Sequence, residues 1–261
     1  MQWIRNWRRK RILGRTALDE TLWRSVIARY PFTRALSEPE RARLRERAIL
    51  FLHEKSIAGA GGLEVRDEIR MCVAAQACML VLDLDFDFFR GWTEVIVYPD
   101  EFIVDYEYVD EDGIAHRVNA PLSGESWLEG PVILSWADAE RGGDGGGYNV
   151  VIHEFAHKLD MLNGDANGFP PLHADMVPQR WSSVFSAAYD DFCARVERRE
   201  DTAIDPYAAE NPGEFFAVVS EAFFETPAAV SGEYPEVYGQ LVSFYRQDPG
   251  RRLSESEAGM S

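Results

Sequence analysis

Residues 149–165 read Asn149-Val-Val-Ile-His153-Glu154-Phe-Ala-His157-Lys-Leu-Asp160-Met-Leu-Asn163-Gly164-Asp165. Apolar residues surround the two histidines at helical spacing, which predicts a helix over 148–162. Histidines at i and i+4 share one helix face, one turn apart, so both imidazoles reach a single metal ion. Neutral imidazole nitrogen suits zinc, and two on one rigid helix fix two corners of a tetrahedron. Glu154 lies beside the first histidine, where it can take a proton from an activated water and pass it to a leaving amine. The His153-Glu-x-x-His157 spacing therefore predicts one catalytic Zn2+ per chain, with Glu154 as the base.

A catalytic zinc takes a third protein ligand and keeps one position open. A third histidine six residues after His157 is excluded, because Asn163 stands there and Asp160 replaces the usual glycine. The ligand is expected further on, as a carboxylate on a later helix. Glu214 and Glu221 are seven apart in Glu214-Phe-Phe-Ala-Val-Val-Ser-Glu221 and share one face of an apolar helix. A carboxylate in such surroundings needs a partner, either a metal or an arginine, and spacing alone leaves the two glutamates tied. Asp160, three residues after His157, is a candidate to accept the outer N–H of a ligating histidine, or else to shape the turn before Asn163-Gly164. Tyr207, in Asp205-Pro-Tyr207, is a candidate donor to an oxyanion. His53, His116 and His173 fall in no ligand spacing.

Working outward, helices are expected at 18–30, from Ser37 to the glycines at 59–62, and at 65–82. Strands are expected at 93–98, 102–109, 115–119 and 131–136, with Asp110-Glu-Asp-Gly113 as a turn. Helices return at 180–199, 213–225 and 234–246. Helices, then strands, then helices argue an α+β fold, with a small strand cluster and a metal-bearing helix. The strand at 131–136, just before that helix, is expected to be an edge that pairs with extended substrate. The glycine-rich stretch 142–147 lacks the lysine of a phosphate loop and reads as a connection, or a mobile rim, leading into the metal helix. Asp83, Asp85, Asp87 and Glu94 imitate a calcium loop, but Phe88 stands where the turn requires glycine.

The chain has 261 residues, 46% hydrophobic and 27% charged, with a net charge of -17. That length buries a sizeable core without disulfides. The acidic field argues against direct nucleic-acid binding. Cys72, Cys78 and Cys193 show no metal or disulfide spacing and suit a reducing compartment. The longest apolar run, Met71 to Leu82, is too short for a membrane span. Residues 1–17 form a basic arm, with six cations and no acid in the first fifteen positions. It lacks the apolar stretch of a signal peptide, and is expected to be flexible or docked, the alternative being that Trp3, Ile4 and Trp7 make it amphipathic enough to lie on an anionic membrane surface. Residues 18–253 are read as a single two-lobed catalytic domain, and 254–261 as a flexible tail.

The run from Asn149 to Asp165 resembles the Mlc titration factor A family of zinc metallopeptidases. So do Val97-Tyr98-Pro99 with Phe102-Ile-Val-Asp105, Gly130-Pro-Val-Ile-Leu-Ser-Trp136, Ile204-Asp-Pro-Tyr207, Phe216-Ala-Val-Val-Ser-Glu221 and Phe244-Tyr-Arg-Gln-Asp-Pro249. The resemblance implies a zincin-like fold of gluzincin type and a cytoplasmic, aminopeptidase-like enzyme acting on peptides. It implies Glu214 as third zinc ligand, Tyr207 as the active-site tyrosine and Glu154 as general base. Glu221 then becomes a supporting residue. It also implies binding of the glucose-regulating repressor Mlc. The competing expectation is a non-catalytic zinc protein that sequesters a transcription regulator.

Overall fold

The structure, a computed structural model, describes residues 2–109, 115–127 and 130–258. Helices α1 (Gln2–Leu13), α2 (Glu20–Ile27), α3 (Pro31–Arg34) and α4 (Glu38–Glu54) open the chain. Strand β1 (Ser56–Gly59), helix α5 (Asp67–Leu80) and strand β2 (Glu94–Tyr98) follow. Then come β3 (Phe102–Val109), β4 (Ala115–Leu122), β5 (Gly124–Ser126) and β6 (Val132–Ser135). Helices α6 (Trp136–Arg141), α7 (Val150–Asp160), α8 (Pro178–Glu197), α9 (Pro212–Glu225), α10 (Pro227–Glu233), α11 (Pro235–Tyr245) and α12 (Pro249–Ala258) complete it. The architecture is mixed α+β, mostly helical with a small sheet.

That sheet runs in the order β1-β2-β6-β5. β1, β2 and β6 are parallel, and β5 is antiparallel to β6. The expected strands at 93–98 and 131–136 pair here, with Val95 opposite Val132 and Val97 opposite Leu134. The expected strands at 102–109 and 115–119 instead form a separate hairpin, β3 with β4. Its turn at 110–113 lies outside the described residues.

The edge-strand expectation is overturned. The strand at 131–136 has a neighbour on each side, so it sits inside the sheet, and the edge belongs to β5. β5 and β1 escape a sequence reading because they are three and four residues long. β1 also follows α4 with only Lys55 between them, so a run of helical periodicity passes straight into it. The β1–α5–β2 crossover gives parallel pairing that the order of elements alone does not suggest.

Two apolar helices hold the centre. α7 is buried along its whole length. Phe155 packs into Phe51, Phe89 and Trp92, with ring centroids 5.4–5.6 Å away. α5 is buried from Met71 to Leu80, and its Cys72 and Cys78 are free buried thiols. Pro31, expected as the stop of a helix over 18–30, instead starts α3, as its fixed φ allows at a first helical position, and α2 has already ended at Ile27. The basic arm folds as helix α1 docked on the body, and the last helix runs through Ala258, into the stretch read as a tail. No described helix is long and apolar enough to cross a membrane.

Candidate metal centre

α7 begins at Asn149, whose side-chain oxygen accepts the Ile152 N–H at 2.9 Å. This cap fixes where the helix starts, and so where His153 and His157 project. α9 begins in the same way, with Asn211 accepting the Glu214 N–H at 3.0 Å and Pro212 at the first helical position. The cap sets Glu214 in the first turn of α9, facing α7.

Three atoms from these helices converge. His153 Nε2 and His157 Nε2 are 3.1 Å apart. Glu214 Oε2 is 3.0 Å from the first and 3.3 Å from the second. Ligands about 2.0–2.1 Å from a tetrahedral zinc lie roughly 3.3 Å from one another. Glu214 Oε2 is buried and receives no aligned hydrogen-bond donor, the situation of a ligand oxygen. The His–His–Glu donor set also suits zinc, so these side chains fit the ion.

Glu221 lies on the other side of His153. Its Oε1 accepts from His153 Nδ1 at 2.7 Å, and its Oε2 accepts the Asn149 N–H. A proton on Nδ1 leaves the Nε2 lone pair aimed at Glu214 and His157. Among the described residues, neither glutamate pairs with an arginine. Asp160 does not join the group. Its Oδ2 accepts the Gly168 N–H at 2.7 Å, and among the described hydrogen bonds none links it to His157, whose charge still acts on it through space. Of the two roles expected of Asp160, this contact belongs to the one that shapes the turn, toward the loop at 168.

Charge is tightly coupled here. Burial works against an imidazolium at His153, but Glu221, Glu214 and Glu154 outweigh it and hold its pKa well above the usual value. Burial likewise opposes the charge on Glu214, yet His153 and His157 hold its carboxyl far below the usual range. At Glu221 burial prevails over His153 and the pKa rises.

The cleft beside these residues encloses about 450 Å³. His153, Glu154, Tyr148, Tyr207 and Glu221 line it, with Gly124 of β5 and Gly147 of the glycine-rich loop. Tyr207 is half exposed, with its ring 6.2 Å from that of His153. Desolvation, then Glu214 and Glu154, push its phenol up to about 12. Tyr148 is pushed up to about 12, chiefly by burial, and bonds Ser123.

Glu154 is tied to the sheet edge. Ser126 Oγ, on β5, donates to Glu154 Oε2 at 2.6 Å. A Cβ on Gly124 would stand 2.4 Å from Glu154 Oε1, so only glycine lets the strand approach this closely. Lys158, buried on the same helix, donates to the Trp127 and Gly130 carbonyls, bracing the segment after β5. Ser126, Gly124 and Tyr148 were not legible as site residues. A glycine in a short polar stretch before a strand was the available signal.

Comparison with known proteins agrees with this geometry. Residues 4–246 match the family described as glucose-regulated metallo-peptidase M90. The chain is 36% identical over 255 residues to Mlc titration factor A of Escherichia coli (strain SMS-3-5 / SECEC), covering 95% of this chain and 92% of that protein. It is 37% identical over 239 residues to Mlc titration factor A of Salmonella arizonae, covering 89% and 93%. A match over nearly the whole length on both sides leaves one assignment: the chain belongs to the glucose-regulated metallo-peptidase M90 family.

Proposed function

We propose that this protein is a zinc-dependent, aminopeptidase-like hydrolase of gluzincin type. The reading rests on the convergence of His153 Nε2, His157 Nε2 and Glu214 Oε2 beside Glu154 in an open cleft. Zinc held by those three atoms supplies a Lewis acid for activating water and a peptide carbonyl. Glu221 keeps His153 in the ligating tautomer through the 2.7 Å bond to Nδ1. Glu154 takes the proton from the attacking water and returns it to the leaving amine, with Ser126 holding its carboxylate in line. Tyr207 donates to the oxyanion, and its high pKa keeps the phenol protonated at neutral pH.

Substrate class follows from the walls. Among the described residues, the lining includes Glu154, Asp205 and Glu221 but no lysine or arginine. Such a cleft favours a cationic group, and a free α-amino terminus supplies one. The backbone of β5 is the expected partner for an extended peptide. Ser123 O and Trp127 N–H point toward β6 and its approach, so strand alternation aims the N–H and C=O of Gly124 and Ser126 the other way.

The relatives' name, Mlc titration factor A, supports binding of a repressor of that kind as a second activity. The free cysteines suit a cytoplasmic setting. The deciding experiment compares zinc content and hydrolysis of aminoacyl anilides in the wild type and Glu154→Gln. Zinc in both, with turnover only in the wild type, is expected. Zinc in both with no turnover in either would leave repressor binding as the function and overturn the hydrolase reading.

A further inference from the structure

α1 is amphipathic in the reverse of the usual sense. Its inward face carries Arg5, Arg9 and Ile12. Arg5 pairs with Asp87 at 3.1 Å, and Arg9 reaches Asp87 at 2.7 Å and Asp85 at 3.3 Å. The Arg9 guanidinium also lies 5.3 Å from the Phe86 ring centroid. Ile12 is buried. The acidic stretch that imitates a calcium loop is therefore the dock for this helix.

The outward face holds the apolar residues. Trp3 is 77% exposed, Ile4 59% and Trp7 55%. On a 100° helical wheel they cluster about the direction opposite Arg5 and Arg9. Arg8, Lys10 and Arg11 are exposed on and beside the same strip, and Arg15 is exposed just past the helix end. The Arg11 guanidinium stacks 5.5 Å from the Trp7 ring centroid. Two indoles turned to solvent on a helix that turns Arg5 and Arg9 inward are unexplained by the fold of this chain.

We propose that this face docks reversibly on an anionic lipid surface. Charge complementarity selects the occupant. Taking the six arm cations from the net -17 leaves about -23 on the rest of the chain, so α1 is the cationic patch on an acidic body. Its cations are interleaved with the indoles rather than ringed around an apolar centre. A headgroup layer accepts that mixture at one depth, phosphates meeting the guanidinium groups and the interfacial zone taking tryptophan. Repulsion of the acidic body confines contact to α1 and makes binding salt-sensitive.

The test is co-sedimentation of the full chain with vesicles of phosphatidylcholine containing phosphatidylglycerol, against phosphatidylcholine alone, at low salt. Partitioning at least about tenfold higher on the anionic vesicles is expected. The Trp3→Ala/Trp7→Ala and Arg8→Ser/Arg11→Ser variants should each lose roughly tenfold, with an unchanged far-UV spectrum because these side chains face solvent. Failure to bind anionic vesicles, or equal binding by the double tryptophan variant, overturns the proposal. So does self-association in the absence of lipid that the tryptophan variant abolishes, since it would assign the face to a second copy of the chain.

Discussion

At Glu154, two side-chain oxygens have different surroundings, and that difference organises the candidate site. Oε2 accepts from Ser126, while Oε1 lies where a Cβ at position 124 would collide. Glu154→Gln keeps the shape and removes the proposed base. Full zinc content with turnover lowered about 10²–10⁴-fold is expected from metal analysis and steady-state kinetics. Ser126→Ala leaves the base but frees its carboxylate. A fall in kcat of roughly tenfold, with zinc content and KM little changed, is expected from loss of alignment alone. A larger rise in KM than fall in kcat would show that Ser126 acts on substrate instead.

Among the elements, the start of α7 gathers four hydrogen bonds at one residue. Asn149 caps the helix, gives its N–H to Glu221, and donates from Nδ2 to Gln76 at 2.8 Å and to Glu225 at 2.7 Å. Asn149→Ala removes the cap and leaves buried polar partners unmatched. A loss of about 2–4 kcal/mol in denaturant unfolding is expected, together with weaker zinc retention on dialysis, because the two histidines hang on that helix start. β5 offers a contrasting test. Gly124→Val drives a branched side chain into Glu154 and Val150 Cγ2, the latter 2.7 Å from the added Cβ. Turnover should fall by more than about tenfold at saturating substrate, while β6, held on its other side by β2, keeps the sheet paired. Wild-type turnover in this variant would argue that β5 stands away from the chemistry.

For the whole molecule, the buried polar layer between α5, α7 and α9 links stability to pH. Burial pushes Glu225 up to about 7, against the Asn149 bond that favours its charge. Between the ordinary glutamate range and about pH 7, the native state holds a proton the unfolded chain has released. Stability from this group is present at low pH, is lost as pH rises through that window, and levels off above it. Glu225→Gln removes the linkage. Its thermal midpoint should match the wild type near pH 5 and exceed it by several degrees above pH 8, for a difference of at most ~3 kcal/mol. An equal shift at both pH values would mean that packing, not ionisation, is responsible.

The sequence alone determined the pairing of His153 with His157 and the adjacency of Glu154, because one helical turn relates these positions whatever the helix packs against. It also determined most helices and the strands Glu94–Tyr98 and Val132–Ser135, whose apolar periodicity is local. Glu214 and Glu221 were indistinguishable by spacing, since both lie on one face of α9. The family resemblance points to Glu214, and the packing of α9 on α7 gives the physical distinction, one meeting both imidazole Nε2 atoms and the other His153 Nδ1. Which strand forms the edge, that Ser126 holds Glu154, and that α1 turns its tryptophans outward are likewise tertiary outcomes. Each depends on contacts between residues far apart in the chain, such as Ser126 with Glu154 or Arg9 with Asp87. Local spacing carries no information about which distant partner a side chain meets, and the fold supplies it.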